Sequence, residues 1–264
     1  MTDVDPAALL RIYDDQLRTD AETPGAQEVL EHGPLRLATF NGGRGFISYR
    51  DLGGADDAGV RRLVAEALEH YRSRPEVVDV EWKTRGHDDA PGLHDALVEH
   101  GFVPGEVESV MMGAAEGLAV DVPLPEGVTL RQVRSEEDVR AMSAAADEAF
   151  EEPVSVRRAD DLVFRVSRDP LIEIWVAEAD GLVVSSGRLE PVRGTEVAGV
   201  WGGSTLPAWR GQGIYRALTA VRARSALRLG YRYLHSDSTE YSRPILERSG
   251  LVRVTTTTPY EWTR

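Results

Sequence analysis

The sequence predicts an α+β fold in two similar halves, and three observations lead there. Segments of helical and strand period follow one another along the chain, the second half repeats the element order of the first, and one basic, glycine-rich turn joins a strand to a helix. At 264 residues, with 42% hydrophobic and 28% charged side chains, the chain is long enough and apolar enough for two ordinary globular domains.

Asp5-Pro6 ahead of Leu9, Leu10, Ile12 and Tyr13 opens a helix running to about Arg18. After a polar connection at Pro24-Gly25, Leu35 to Phe40 and Gly45 to Tyr49 read as a hairpin around Asn41-Gly42-Gly43. Asp56 and Asp57 start a helix to about Arg72, Val77 to Lys83 alternates as a strand, Pro91 to His100 is helical, and Val107 to Met112 is a strand. The Ala, Gly and Pro content between Gly113 and Gly127 suits a linker, which divides the chain into residues 1–119 and 120–264.

Beyond it, Val128 to Val133 is a strand and Ser135 caps a helix to about Phe150. A helix at Arg157 to Ser167 and a hairpin around Asp180-Gly181 follow. A glycine-rich strand, Glu196 to Leu206, then runs through Pro207 into Arg210-Gly211-Gln212-Gly213, which opens a helix ending at Gly230. Tyr231 to Ser236, a short helix from Ser242 to Arg248 and Thr-rich closing strands complete the chain.

The halves align at one constant offset: Gly213 follows Gly59 at the distance at which Tyr231 follows Val77. At that offset Arg210-Gly211 stands opposite Asp56-Asp57. A turn before a helix gathers N–H groups at the positive end of the helix dipole and holds anions, whereas two carboxylates repel them. Only the second half is therefore expected to bind a phosphate-bearing ligand.

The pattern Arg210-Gly211-Gln212-Gly213-Ile214-Tyr215, after Thr205-Leu206-Pro207 and before Ile245-Leu246-Glu247-Arg248-Ser249-Gly250-Leu251, resembles the acetyltransferases related to the histone acetylase Gcn5, the GNAT superfamily. Good matching covers about Val128 to Trp262, and a weaker likeness covers Leu35 to Met112. The resemblance implies two GNAT-like domains in tandem, the first a degenerate copy, each with a mixed and mostly antiparallel sheet. It also implies an acetyl-CoA-dependent N-acetyltransferase acting on a primary amine of a small molecule or peptide. Acetyl-CoA would lie in a V-shaped gap of the second domain, its pyrophosphate on Gly211, Gln212, Gly213, Ile214 and Tyr215 beside Arg210, and its pantetheine along Thr205 and Leu206. Tyr215 replaces the usual small residue, so it either crowds the cofactor or stacks on it. Leu246 replaces a tyrosine that in many members protonates the departing thiolate.

Candidate bases are Glu190, Asp237 and Glu240, and Tyr241 is a candidate acid; Ser242 either binds pantetheine or caps its helix. Trp175 and Trp201 are either core or a wall of the acceptor pocket. Gly199, Gly202 and Gly203 fit a strand with a bulge or a closely approaching ligand. With 44 acidic and 30 basic residues the formal charge is −14, which disfavours nucleic acid and anionic membranes and suits a cationic amine. Having no cysteine, the chain lacks thiolate chemistry and disulfides, and its six histidines show no metal-ligand spacing. A cytoplasmic monomer or homodimer without a metal is expected, and a non-catalytic acyl-CoA-binding module is the alternative.

Overall fold

The computed structural model describes residues 5–264; residues 1–4 of the amino-terminal stretch read above lie outside it. In chain order the elements are α1 (Pro6–Gln16), β1 (Glu28–His32), β2 (Leu35–Phe40), β3 (Arg44–Tyr49), α2 (Asp57–Arg72), β4 (Asp79–Arg85), α3 (Leu93–Glu99), β5 (Val103–Pro104), β6 (Glu108–Ala114), α4 (Ala115–Leu118), β7 (Val128–Val133), α5 (Glu136–Ala149), α6 (Val156–Arg168), β8 (Glu173–Ala179), β9 (Leu182–Pro191), β10 (Val197–Thr205), α7 (Ile214–Arg228), β11 (Tyr233–Ser238), α8 (Arg243–Ser249) and β12 (Val252–Thr263).

Two compact units form. The first comprises Asp5–Val110, Asp237–Arg243 and Arg253–Arg264; the second takes in Met111–Ser236 and Pro244–Val252. This differs from a division into 1–119 and 120–264, because the last strand belongs with the first unit. β12 lies antiparallel to β4, from Thr257 beside Arg85 to Thr263 beside Asp79. Its alternate residues Tyr260 and Trp262 thereby join Trp82, Tyr49, Tyr71 and Phe102 in one core. Instead of several closing strands there is one.

In the first unit β1, β2 and β3 form an antiparallel meander, and β3 pairs parallel with β4 from Arg44–Asp79 to Ile47–Trp82. β1 was not expected, because its residues are mostly exposed and carry no alternation of apolar and polar side chains. In the second unit β7, β8, β9 and β10 are successively antiparallel, and β10 pairs parallel with β11. The expected linker contains the short helix α4, whose Ala115 and Leu118 pack with Ala223 and Ala226 of α7.

Within the second unit the faces of the sheet follow from alternation along β9. Leu189 packs against α7 residues and the missing side chain of Gly187 faces Arg222 of α7, whereas Arg188 and Glu190 point the other way, where Arg165 of α6 reaches Glu190. The α5 and α6 side has its own core of Val139, Met142, Leu162, Val166, Ile174 and Val176.

Candidate active site

The site is organised by β10. Its parallel pairing with β11 runs only from Val197–Tyr233 to Gly199–His235 and then stops, although β10 continues to Thr205. On its other side β10 stays paired with β9 to Thr205, but the register slips by one residue between Trp201 and Ser204. The extra residue is a bulge at Gly202-Gly203, with Gly202 at φ +57°. A β-carbon on Gly202 would stand 2.4 Å from Nη1 of Arg188, and one on Gly203 would stand 2.4 Å from the ring of Tyr215. The expectation of a bulge holds, and the close approach at these glycines is made by the protein's own side chains.

Beyond the bulge the strand is pinned to β9. The hydroxyls of Ser185 and Thr205 are 2.8 Å apart, and the Leu206 N–H donates to the Val184 carbonyl over 2.9 Å. The chain then turns through Pro207–Trp209 and enters α7 by way of Gly211 and Gly213, at φ +76° and +83°. No side chain caps α7, and Gly211, Gln212 and Gly213 ahead of it are exposed. Arg210 donates from Nε to the Thr205 carbonyl at 3.0 Å and from Nη2 to the Ala149 carbonyl at 2.6 Å. Gln212 donates to the Ala208 carbonyl. Both side chains brace the loop from within.

Tyr215 is half-buried, its ring on Gly203 and its hydroxyl beside the guanidinium of Arg222. Arg222 is 1% exposed and donates to the carbonyls of Leu218 and Arg188 and to the Thr219 hydroxyl, all neutral acceptors. Burial lowers its affinity for its proton, the Tyr215 hydroxyl opposes that effect and Arg188 adds to it.

The opposite face carries Trp201, His235 and Glu190. Gly199 is paired with Glu190 on β9 and with His235 on β11, so the two titratable side chains flank it on one face. The Trp201 indole folds back over Gly199 and meets the His235 ring edge-on, with centroids 5.3 Å apart. Trp175 instead lies on the α7 face, its Nε1 donating to Glu173. Glu190 is held by Arg165 and, at 2.8 Å, by Nε of Arg188. His235 escaped the sequence reading because no metal spacing or motif marks it; its place opposite Gly199 is a property of the pairing register.

The four remaining candidates, Asp237, Glu240, Tyr241 and Ser242, lie in the segment that belongs to the first unit. Asp237 is 2.6 Å from the ammonium of Lys83, the chain's single lysine. Burial alone would lower the Lys83 pKa, but Asp237 and the other nearby acidic groups hold it above its ordinary value. Glu240 accepts from Arg243, which keeps its carboxyl below the usual range. Tyr241 is 88% exposed, and the Ser242 hydroxyl donates to the Thr239 carbonyl. Leu246 is buried against the α7 residues.

No model of a known protein family matches the chain, and no curated protein matches it. Solved structures do. A GCN5-related N-acetyltransferase from Kribbella flavida is 19% identical and aligns over 92% of this chain and 93% of its own with a TM-score of 0.68. A second, from Sphaerobacter thermophilus, is 20% identical over 87% of this chain and 76% of its own, with a TM-score of 0.63. A tandem GNAT protein from the clavulanic acid biosynthesis pathway, 15% identical, covers 100% of this chain and 97% of its own at a TM-score of 0.61. The short parallel pairing, the bulge and the uncapped helix start thus lie within a chain that has the fold of the GCN5-related N-acetyltransferases, in its tandem form.

Proposed function

We propose that the protein is an N-acetyltransferase that moves the acetyl group of acetyl-CoA to a primary amine, using the second unit. The carrying observation is the continuous strip from the end of the β10–β11 pairing, through the bulge, to the bare start of α7. An extended, amide-bearing arm adds to a strand edge as another strand does, and a pyrophosphate suits unsatisfied N–H groups at a helix start. Thr205 and Leu206 border the arm, and Gly211 to Tyr215 take the phosphates. Arg210 supports the loop that presents them. The thioester supplies the acyl group, so the protein needs only to orient the amine, accept its proton and stabilise the developing oxyanion. Glu190 and His235, which flank Gly199, are the candidate groups for taking that proton.

Calorimetry with acetyl-CoA, followed by thiol release against polyamines, aminoglycosides and peptide amines, tests this reading. Saturable binding and release above hydrolysis are expected; no binding at all overturns it. A second reading, an acyl-CoA-binding protein without turnover, is favoured by one observation. Glu190, Asp237 and Glu240 are each ion-paired, and an apolar Leu246 stands on α8. Binding without release from any amine selects that reading.

A further inference from the structure

The sheet of the first unit ends in β1, which among the described residues is paired with β2 alone. An unpaired strand edge is a template for another strand, and soluble proteins blunt such edges with proline, lysine, a bulge or a cover of other elements. The strand EVLEH, Glu28 to His32, has neither proline nor lysine, keeps an unbroken register to β2, and exposes four of its five residues. Val29 and Leu30 are 40% and 41% exposed. Its charged side chains do not guard the edge, since each is drawn back onto its own unit. Glu28 pairs with Arg74 at 2.6 Å, Glu31 with Arg36 at 2.8 Å and His32 with Glu66 at 2.9 Å. The edge strand of the second unit, β7, is built differently: Val128 and Val133 are 6% and 4% exposed, and Arg131 stands between Asp138 and Glu178.

The hairpin fixes which backbone groups of β1 are free. β1 and β2 are joined by the two-residue turn Gly33-Pro34, so His32 and Leu35 form the closing pair, and the Thr39 carbonyl points at β1, where it accepts the Gln27 N–H over 2.8 Å. Pairs that exchange hydrogen bonds alternate with pairs that do not. Glu28, Leu30 and His32 therefore bond to β2, and the N–H and C=O groups of Val29 and Glu31 point outward. We propose that this edge joins two copies of the chain, β1 lying antiparallel on β1 of the second copy with a twofold axis at Leu30. About that axis Val29 of each copy stands opposite Glu31 of the other, so every outward N–H meets an outward carbonyl. Leu30 then meets its own counterpart in the closer, non-hydrogen-bonded kind of pair, and Glu28 stands opposite His32 on the same face. The existing ion pairs join into a row of alternating sign, Arg74 and Glu28 from one copy, His32 and Glu66 from the other. A register shifted by one residue sets outward groups against inward ones, and a shift of two sets Leu30 against Glu28 or His32. The strand is thus complementary to itself in hydrogen bonding, apolar contact and charge in a single register. This inference is independent of the proposed acetyl transfer.

Sedimentation velocity of the full chain at rising concentration tests the proposal. The wild-type chain should move from monomer toward dimer, and a chain that stays monomeric up to its solubility limit overturns the interface. Because the axis passes at Leu30, Leu30→Lys and Leu30→Glu each set a charge against its own copy and should weaken the dimer about tenfold or more. An equimolar mixture of the two variants sets opposite charges together and should dimerise again. A dimer that neither variant weakens uses another surface and overturns the proposal. So does a mixture that stays monomeric while each variant keeps the wild-type thermal midpoint. Val29→Pro is a second route if either charge lowers that midpoint: the N–H it removes points away from β2, so the hairpin is retained while the dimer is lost. Survival of the dimer at wild-type strength in Val29→Pro overturns the pairing.

Discussion

The starts of α2 and α7 occupy corresponding places, each opening a helix behind a strand whose next neighbour is parallel, yet they are opposite in chemistry. At α2 the Asp56 carboxylate accepts the Gly59 N–H over 2.8 Å and satisfies the helix from within. At α7 the cap is Gly213, which has no side chain to offer. The strand gaps differ in the same sense. Where β3 and β4 part beyond Ile47–Trp82, Arg18 reaches the Tyr49 carbonyl at the end of β3 and Asp88 after β4, and its guanidinium lies over the Tyr49 ring. Where β10 and β11 part, β10 carries Gly202 and Gly203, against which Arg188 and the Tyr215 ring pack. The corresponding places thus carry a carboxylate cap and an arginine in one unit and glycines in the other.

The contrast can be broken at several points. The largest effect belongs to Arg18→Met, which takes the guanidinium from the buried Asp88 and leaves it with His87 at 3.8 Å, and it should destabilise the first unit by about 3–5 kcal/mol, measured as a lower denaturant midpoint. A loss below about 1 kcal/mol would mean that Arg18 does not close the gap. Next comes Gly213→Val: φ of +83° is hostile to a branched side chain, and the added carbons meet Val122 and the Pro123 carbonyl. Acetyl-CoA affinity should fall about a hundredfold, roughly 2.7 kcal/mol, by calorimetry. The wild-type titration should end at one acetyl-CoA per chain; two would make the first unit an equal partner. The smallest change is expected for Asp56→Ala, about 1 kcal/mol of stability from the lost cap, seen in thermal unfolding with the stoichiometry unaltered.

Features written in neighbouring residues were legible from the sequence. The hairpin at Asp180-Gly181, the turn at Arg210 to Gly213 and the bulge glycines depend on local φ requirements, which residue types announce. What depends on distant partners was not. Asp237 looked like a free base until folding set it against Lys83, 154 positions away in the chain. Glu190 has its two arginines on α6 and on its own strand, and His235 owes its place beside Gly199 to register alone. The boundary near Val120 was read from the composition of a connecting segment, and composition cannot reveal that a terminal strand docks beside β4.

That terminal strand imposes an order of events on synthesis. Before β12 arrives, β4 has an unpaired edge, and the core around Trp82 lacks Tyr260 and Trp262. Arg264 takes part as well, donating to the carbonyls of Val77 and Tyr71. Domains usually fold as they emerge from the ribosome, earliest residues first. Here the unit that holds β4 cannot be finished until residues 253–263 have been made, and its contacts join segments far apart in sequence, which slows folding. A nascent chain stalled or truncated before β12 would therefore expose the edge of β4, and it is the unit holding β4, not the other, that quality-control proteases should attack.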